Sequence, residues 1–508
     1  RANILMNVTA DPTPHISLYG RIYLAYGDKS RNVRSHSLAP AQKYESMTSD
    51  PKTTSTLYPL GGVVEDEVLK QLNGTVSKND SYRVMSNARL GIKLFKGLSF
   101  ASSLGIDFTQ ANGNVFEPSY LSVRNENKST GNINRNISFA NENLLTYKRE
   151  IHGEHNLEVL LGMTYNHQQA HEINGYALRG GSDKVYYVSS GSSDIFNYGT
   201  EDFPSYQALQ YYYSNFNEKA MLSYLGRMAY NYKQRYLMEF TFRRDGSSVF
   251  GEDVRWANFP AIAVGWAFSD EPFMDKVSWL NLGKIRISWG RSGQIFDDAY
   301  LAHGLMGETS TFLGNMGMSG GIINRDLTWE RSDQYDVGLD LSLFNYRLKL
   351  KTDYYYKYTK SLLYEVEIPG DFHGSGKQVQ NAMEVSNQGI EVEALMDIFR
   401  ESAVSWRMKV TFSRNWNRFE KSYTGMDIDR LVIGKPLNGV YVLDDRGFFQ
   451  KDNEVPAYYD SQGVENVLFN YPDQPYRAGM RRILDIDGNG RIDSDDEYYA
   501  GATFPKAS

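Results

Sequence analysis

Apolar residues recur at every second position over several stretches of the chain. Over 236–243, Tyr236, Met238, Phe240 and Phe242 alternate with Leu237, Glu239, Thr241 and Arg243. Over 261–268, Ile262, Val264, Trp266 and Phe268 alternate with Ala261, Ala263, Gly265 and Ala267. The same rhythm sets Ile285, Ile287 and Trp289 against Lys284, Arg286 and Ser288. It also sets Trp406, Met408, Val410 and Phe412 against Ser405, Arg407, Lys409 and Thr411. A period of two assigns each set to its own face of a β-strand. One face is apolar and often aromatic; the other is small, polar or charged. The rule predicts strands near 1–10, 15–27, 82–94, 98–110, 137–150, 156–172, 217–232, 235–244, 257–269, 281–291, 332–342, 347–360, 386–397 and 404–416.

The connections carry as much information as the strands. Segments 11–14, 95–97, 151–155, 233–234, 270–280, 343–346 and 398–403 read as short. Segments 28–81, 111–136, 173–216, 245–256, 292–331, 361–385 and everything after 416 read as longer. Short and long therefore alternate, as expected of an up-and-down membrane barrel with tight periplasmic turns and long outer loops. The predicted fold class is all-β: an antiparallel up-and-down transmembrane β-barrel spanning 1–508, with the long segments outside the cell. In this arrangement Ile287, Val264 and Phe240 face lipid, and Lys284, Arg286 and Glu239 face the lumen. No repeat of about 20 to 50 residues marks a propeller or solenoid.

Composition narrows the reading. The 508 residues carry a net charge of -7, which leaves no cationic excess for phosphates and argues against a nucleic-acid partner. Cysteine is absent, so disulfides and thiolate metal sites are excluded. Aromatic residues reach 14%, and Tyr and Trp suit a membrane–water boundary. No apolar run is long enough for a transmembrane helix. The mean hydropathy of -0.50 fits a barrel too, because only alternate strand residues meet lipid. Arg1 is not an initiator, so the sequence is expected to begin inside a longer protein.

Several motifs together resemble the SusC/RagA group of TonB-dependent outer-membrane transporters. The run Arg243-Arg244-Asp245-Gly246-Ser247-Ser248-Val249-Phe250, followed by Arg255-Trp256 and Phe259-Pro260, is similar to a signature hairpin of that group. Asn141-Glu142-Asn143 with His155-Asn156-Leu157, Ser288-Trp289-Gly290 and Leu327-Thr328-Trp329-Glu330 follow in family order. So do Asp336 to Leu363 with its Tyr354-Tyr355-Tyr356, and Glu384-Val385-Ser386-Asn387-Gln388-Gly389-Ile390-Glu391. The resemblance implies a barrel of 22 strands around a plug domain, with about two strands before Arg1 and about six after Ser508 lying outside this sequence along with the plug. It also implies energised uptake of oligosaccharides or peptides, a TonB partner reached through the missing N-terminal part, and a SusD-like surface lipoprotein.

The sharpest local motif is Asp485-Ile486-Asp487-Gly488-Asn489-Gly490-Arg491-Ile492-Asp493-Ser494-Asp495-Asp496. It fits the calcium-loop template at positions 1, 3, 5 and 6, with Asp rather than Glu at position 12. Asp485, Asp487, Asn489 and Asp496, the Arg491 carbonyl, and Asp493 directly or through water are the candidate ligands for one structural Ca2+. The plainer alternative is a solvated acidic turn. Other constellations fall to simple tests. His152 and His155 sit in a hairpin turn. His167 and His171 on a strand stand roughly 13 Å apart and cannot share a zinc. Gly374-Ser375-Gly376-Lys377 lacks the flanking residues of a phosphate loop, with Asp371 and Gln378 in their places. Arg243, Arg244 and Asp245 read as a strand end held by a local ion pair, and the aromatic faces as lipid contacts rather than sugar platforms.

The expected function is thus transport, not catalysis. Two other classes stay open on residues alone: a passive porin or adhesin barrel, and a soluble all-β carbohydrate-binding protein.

Overall fold

The computed structural model describes residues 1–28, 30, 74–122, 124–188, 195–197, 199–200, 205–296, 298–303, 306–310, 316–320, 324–367, 377–399, 404–428, 430–459, 465–470 and 474–502. The period-two stretches form long strands: β1 (Ala2–Thr13), β2 (Ile16–Asp28), β3 (Val76–Phe95), β4 (Leu98–Glu117), β5 (Lys128–Ile151), β6 (His155–Leu178) and β7 (Gln210–Tyr232). They continue as β8 (Tyr236–Ser247), β9 (Trp256–Ala267), β10 (Leu280–Gln294), β11 (Glu330–Leu343), β12 (Leu348–Glu367), β13 (Lys377–Phe399) and β14 (Trp406–Ser422). Each predicted strand is present.

Most bounds agree closely beside the short turns, and several strands overrun beside the longer connections. Beside the short turns, β3 ends at Phe95, β4 starts at Leu98, β5 ends at Ile151 and β6 starts at His155. Beside the longer connections, β3 starts at Val76, β4 runs to Glu117, β5 starts at Lys128 and β13 starts at Lys377, well beyond the predicted limits. There the side chains turn polar on both faces, as in Asn112, Asn114, Asn132 and Asn134. Alternation vanishes, yet backbone N–H and C=O groups pair regardless of side chain.

Turn chemistry explains the tight ends. Lys233 and Gln234 have φ of 54° and 58°, and Arg235 N–H donates to the Tyr232 carbonyl at 3.0 Å. Two left-handed central residues match the right-handed twist of the flanking strands. The alternation of connection lengths breaks once. The segment 248–255 after β8 is shorter than 268–279 after β9, because β8 keeps pairing through Ser247 and leaves little to loop. Segment 268–279 winds through two short 3-10 turns, Phe268–Asp270 and Pro272–Met274.

The chain divides into two compact units. The first comprises 1–230, 241–259 and 295–326. In it β1 to β6 pair in chain order, each antiparallel to the next. The second comprises 231–240, 260–294 and 327–508. In it β9 to β14 pair in the same way.

Each unit keeps its two sheet faces distinct. In the second, Val264, Ile287, Val337, Tyr354 and Ile390 stand opposite one another in a row across five strands. Ile287 is 50% exposed and Val337 48%. In the first, Leu24, Val84, Phe108 and Ile137 form a similar row. Val264 and Phe240 are exposed, while Lys284, Arg286 and Glu239 are half-buried on the other face. In water such rows would form apolar patches far larger than soluble proteins carry. Facing hydrocarbon, they are the expected surface.

A different packing appears after β14. Short strands Gly439–Leu443 and Glu497–Ala502 pair, as do Asp445–Phe448 and Arg481–Ile483. Phe449, Leu468, Tyr476 and Ile492 make a small buried core, with Val455, Tyr458, Met480 and Ile483 packed around it.

Candidate functional site

The charged face of the sheet is an ordered network. Arg286 on β10 bonds Asp340 on β11 through Nε and Nη2, at 2.9 and 3.0 Å, and Nη2 reaches Asp353 on β12 at 2.8 Å. The register places Gly338 between Arg286 and Asp353. A Cβ at Gly338 would stand 2.4 Å from Asp353 Oδ1 and 2.6 Å from Arg286 Nη2, so only glycine leaves room for this cross-strand pairing. On the opposite face, four residues along from Ile287 and Val337, Arg291 and Asp333 form a second forked pair at 2.8 and 3.2 Å. The Tyr358 hydroxyl donates to Glu384 at 2.6 Å on that same outward face, whereas the Tyr355 hydroxyl, on the Arg286 face, donates to Asn415 at 3.1 Å. In the first unit Arg83 holds Asp107 at 2.6 Å on the corresponding face. These carboxylates are tied to guanidinium or hydroxyl groups on neighbouring strands. On the Arg286 face this wall presents fixed charge to polar matter in the lumen.

The acidic loop sits on the small core after β14. Ile492 is buried in that core, and the Gly490 backbone lies against the Tyr458 ring. Gly488 and Gly490 have φ of 74° and 84°, left-handed values that let the loop reverse. Asp485 accepts the Gly488 and Gly490 N–H groups at 2.8 and 2.9 Å. Asp496, fully buried, accepts the Ile486 N–H at 2.6 Å and the Asp493 N–H at 3.0 Å. One oxygen each from Asp485, Asp487 and Asp496 lies within 4.8 Å of the others. The remaining candidates are engaged locally. Asn489 donates to Asp487 at 2.7 Å and accepts the Arg491 N–H at 2.7 Å. Asp493 caps the 3-10 turn Ser494–Asp496 by accepting the Asp495 N–H at 2.9 Å.

The electrostatics of the loop split its carboxylates. Burial pushes the Asp496 carboxyl above the ordinary carboxylate range, against the Asp493 and Ile486 N–H groups that favour the ionised form. Burial also raises Asp485. The Tyr458 hydroxyl and the Gly490 and Gly488 N–H groups together outweigh it and hold that carboxyl below the ordinary range. Burial and its bond to Asp485 push the Tyr458 phenol well above its usual value. The loop is thus pre-folded by its own N–H groups, with three carboxylates converging, a geometry that oxygen-seeking cations exploit.

The other motifs resolve as scaffolding. Arg243 Nε bonds Asp245 at 2.7 Å and Nη2 reaches Ser223 at 3.2 Å, the ion pair expected for a strand end. His155 Nδ1 lies 2.7 Å from the Tyr230 hydroxyl, and His167 Nε2 lies 2.7 Å from Glu218. His167 and His171 both lie on β6, as the strand reading requires. Gly374, Ser375 and Gly376 lie outside the described residues. Val249 and Phe250, which close the signature run and to which alternation assigns no role, are fully buried in the segment between β8 and β9. Two adjacent large apolar residues in a Gly-Ser turn were the available signal. Phe250 meets Phe296 edge-on at 5.0 Å.

Comparison with known proteins agrees with this geometry. The family model described as TonB dependent receptor-like, beta-barrel matches residues 23–502. The chain is 28% identical over 384 residues to TonB-dependent receptor P26 of Formosa agariphila, which covers 72% of this chain and 36% of that protein. It is 28% identical over 290 residues to TonB-dependent receptor SusC of Bacteroides thetaiotaomicron, covering 55% of this chain and 28% of that one. A solved structure of the RagAB peptide transporter superposes with a TM-score of 0.71 at 19% identity, over 95% of this chain and 54% of the other. The chain therefore spans well under half the length of these curated relatives. The family is one of outer-membrane transporters rather than enzymes. By the match over most of its length, and by strands that turn one apolar face outward, the chain belongs to the TonB-dependent receptor β-barrel family.

Proposed function

We propose that the protein serves TonB-dependent uptake of oligosaccharides or peptides across the outer membrane, with a SusD-like surface lipoprotein at its outer mouth. The observation that carries the reading is the division of the sheet into an apolar exposed face and a charged face, in a chain of this family. The likeness to a structure described as a peptide transporter supports the peptide class, and the oligosaccharide class rests on the motifs' resemblance to the SusC/RagA group. The test is uptake of labelled oligosaccharides and peptides by cells carrying the complete protein. Loss of uptake on collapsing the proton-motive force or removing TonB is expected. Uptake that persists under both treatments points to a passive pore.

The acidic loop belongs to the same proposal. Asp485, Asp487, Asn489 and Asp496, the Arg491 carbonyl and Asp493 hold one structural Ca2+ that stiffens a loop beyond β14. Support comes from the converging oxygens of Asp485, Asp487 and Asp496. Mutual repulsion of such close carboxylates favours a bound cation. Terbium luminescence sensitised by Tyr458 tests it: a saturable signal displaced by calcium is expected, and its absence leaves a solvated acidic turn.

A further inference from the structure

The lipid-facing side of the first unit changes character toward its long connections. The row Leu24, Val84, Phe108 and Ile137 gives way to Tyr26, Tyr82, Gln110 and Arg135, and then to Asp28, Asp80, Asn112 and Ile133. Four residues separate the first row from the last, about 13 Å at the usual strand rise. The face thus passes from hydrocarbon through an aromatic step, where Tyr26 and Tyr82 rings lie 5.3 Å apart, to amides and charges.

Segment 179–188 folds back over this polar part. Asn114 donates to the Tyr186 carbonyl at 2.6 Å, and the Tyr186 ring packs on Phe116 at 5.2 Å. Lys78 Nζ donates to the Tyr187 hydroxyl at 3.4 Å. The segment is anchored at Asp183, which accepts from Ser119 N–H, Ser119 Oγ and Asn127 at 3.0, 2.7 and 3.0 Å. Those bonds, the Ser119 hydroxyl first, hold the Asp183 carboxyl below its ordinary range.

Between segment and sheet lies a cleft of about 740 Å³. Gly131 and Gly175 face each other across β5 and β6 and give it a floor without side chains. Tyr26, Tyr187 and Tyr212 stand in its walls, each largely exposed, beside Lys78, Asp80 and Asn112.

We propose that this cleft binds the sugar headgroup of a glycolipid in the outer leaflet. A pyranose ring has apolar C–H faces and a rim of hydroxyls. Phenol rings cover the former, and an amide, a carboxylate and an ammonium group pair with the latter. Position decides the source of the sugar. The cleft opens on the face that carries the apolar rows, just above the aromatic step. Arg83 and Asp107, which face the lumen, lie on the opposite side of the same strands. A cargo in the lumen does not pass here, whereas a headgroup standing on its acyl chains does. The inference rests on membrane insertion and not on the proposed cargo.

The complete protein, extracted in mild detergent from its own outer membrane, tests this by native mass spectrometry. The wild type should retain glycolipid. Tyr187→Ala with Tyr212→Ala should retain about tenfold less, the loss expected for two aromatic contacts. Asn112→Leu serves as an independent variant, and heat-modifiable gel mobility confirms assembly of both. Oligosaccharide and peptide uptake by the same cells should stay at the wild-type rate. Undiminished glycolipid on both variants overturns the proposal. So does unchanged glycolipid with lost oligosaccharide uptake, which makes the cleft a cargo subsite.

Discussion

Ile287 and Ile492 are the same side chain in opposite situations. Ile287 on β10 is 50% exposed, and Ile492 in the lobe after β14 is 2% exposed. The lobe stabilises itself as a water-soluble protein does, by removing Phe449, Leu468, Tyr476 and Ile492 from solvent together. Burial of each such side chain contributes about 1.5–3 kcal/mol. On the sheet, the contacts of Ile287 are with neighbours in its row and with lipid, which adapts to any apolar shape. The lobe should therefore be sensitive to volume, and the outward face to polarity.

The largest effect is expected in the lobe. Phe449→Ala should cost about 3–5 kcal/mol locally through lost contacts and a cavity. Limited proteolysis should then cut within 439–502 while the barrel still assembles. Protection of the lobe at the wild-type level would mean that it draws its stability from elsewhere. Next comes the outward face. Ile287→Arg should cost about 2–4 kcal/mol near the bilayer midplane. Its assembled fraction on a heat-modifiability gel should fall well below that of Ser288→Arg, one residue along on the other face. Equal fractions would break the contrast between faces.

The charged face gives a third, smaller case. Gly338→Ala pushes a methyl group into the Arg286–Asp353 contact and should cost about 1–3 kcal/mol as overpacking does. Thermal unfolding of the assembled protein reads that cost, and an unchanged midpoint would show that the pair relaxes freely. The smallest effect on global stability belongs to the acidic loop. Asp485→Ala with Asp487→Ala should change it by no more than about 0.5 kcal/mol. Hydrogen exchange across 485–496 should nevertheless quicken, and the calcium chelator EGTA should quicken it in the wild type alone. If EGTA leaves the wild-type loop as protected as before, the three carboxylates are folded by their own N–H bonds without a cation.

Much of this was legible in the residues. A period of two needs no partner to be read, and β10 and β14 were evident from Ile285-Arg286-Ile287 and Trp406-Arg407-Met408. The strand ends near the long connections were not, since Asn112-Gly113-Asn114 and Lys128-Ser129-Thr130-Gly131-Asn132 carry no apolar alternation. Of the candidate ligands, spacing pointed to six residues. Only Asp485, Asp487 and Asp496 are carboxylates brought close together, while Asn489 and Asp493 have turned to neighbouring N–H groups. Spacing fixes which residues can meet but not which backbone donor claims an oxygen first.

By itself the sequence determined the all-β class, the identity of the long strands, the two faces of each, and the family through its ordered motifs. These follow from local rules: side-chain period, turn chemistry and composition. Tertiary structure alone decided that Arg286 reaches two strands across a glycine, that residues after β14 build a core of their own, and that segment 179–188 returns over the lipid-facing side of β3 to β6. Each joins residues far apart in the chain through register and packing, which depend on distances that no single stretch of sequence encodes.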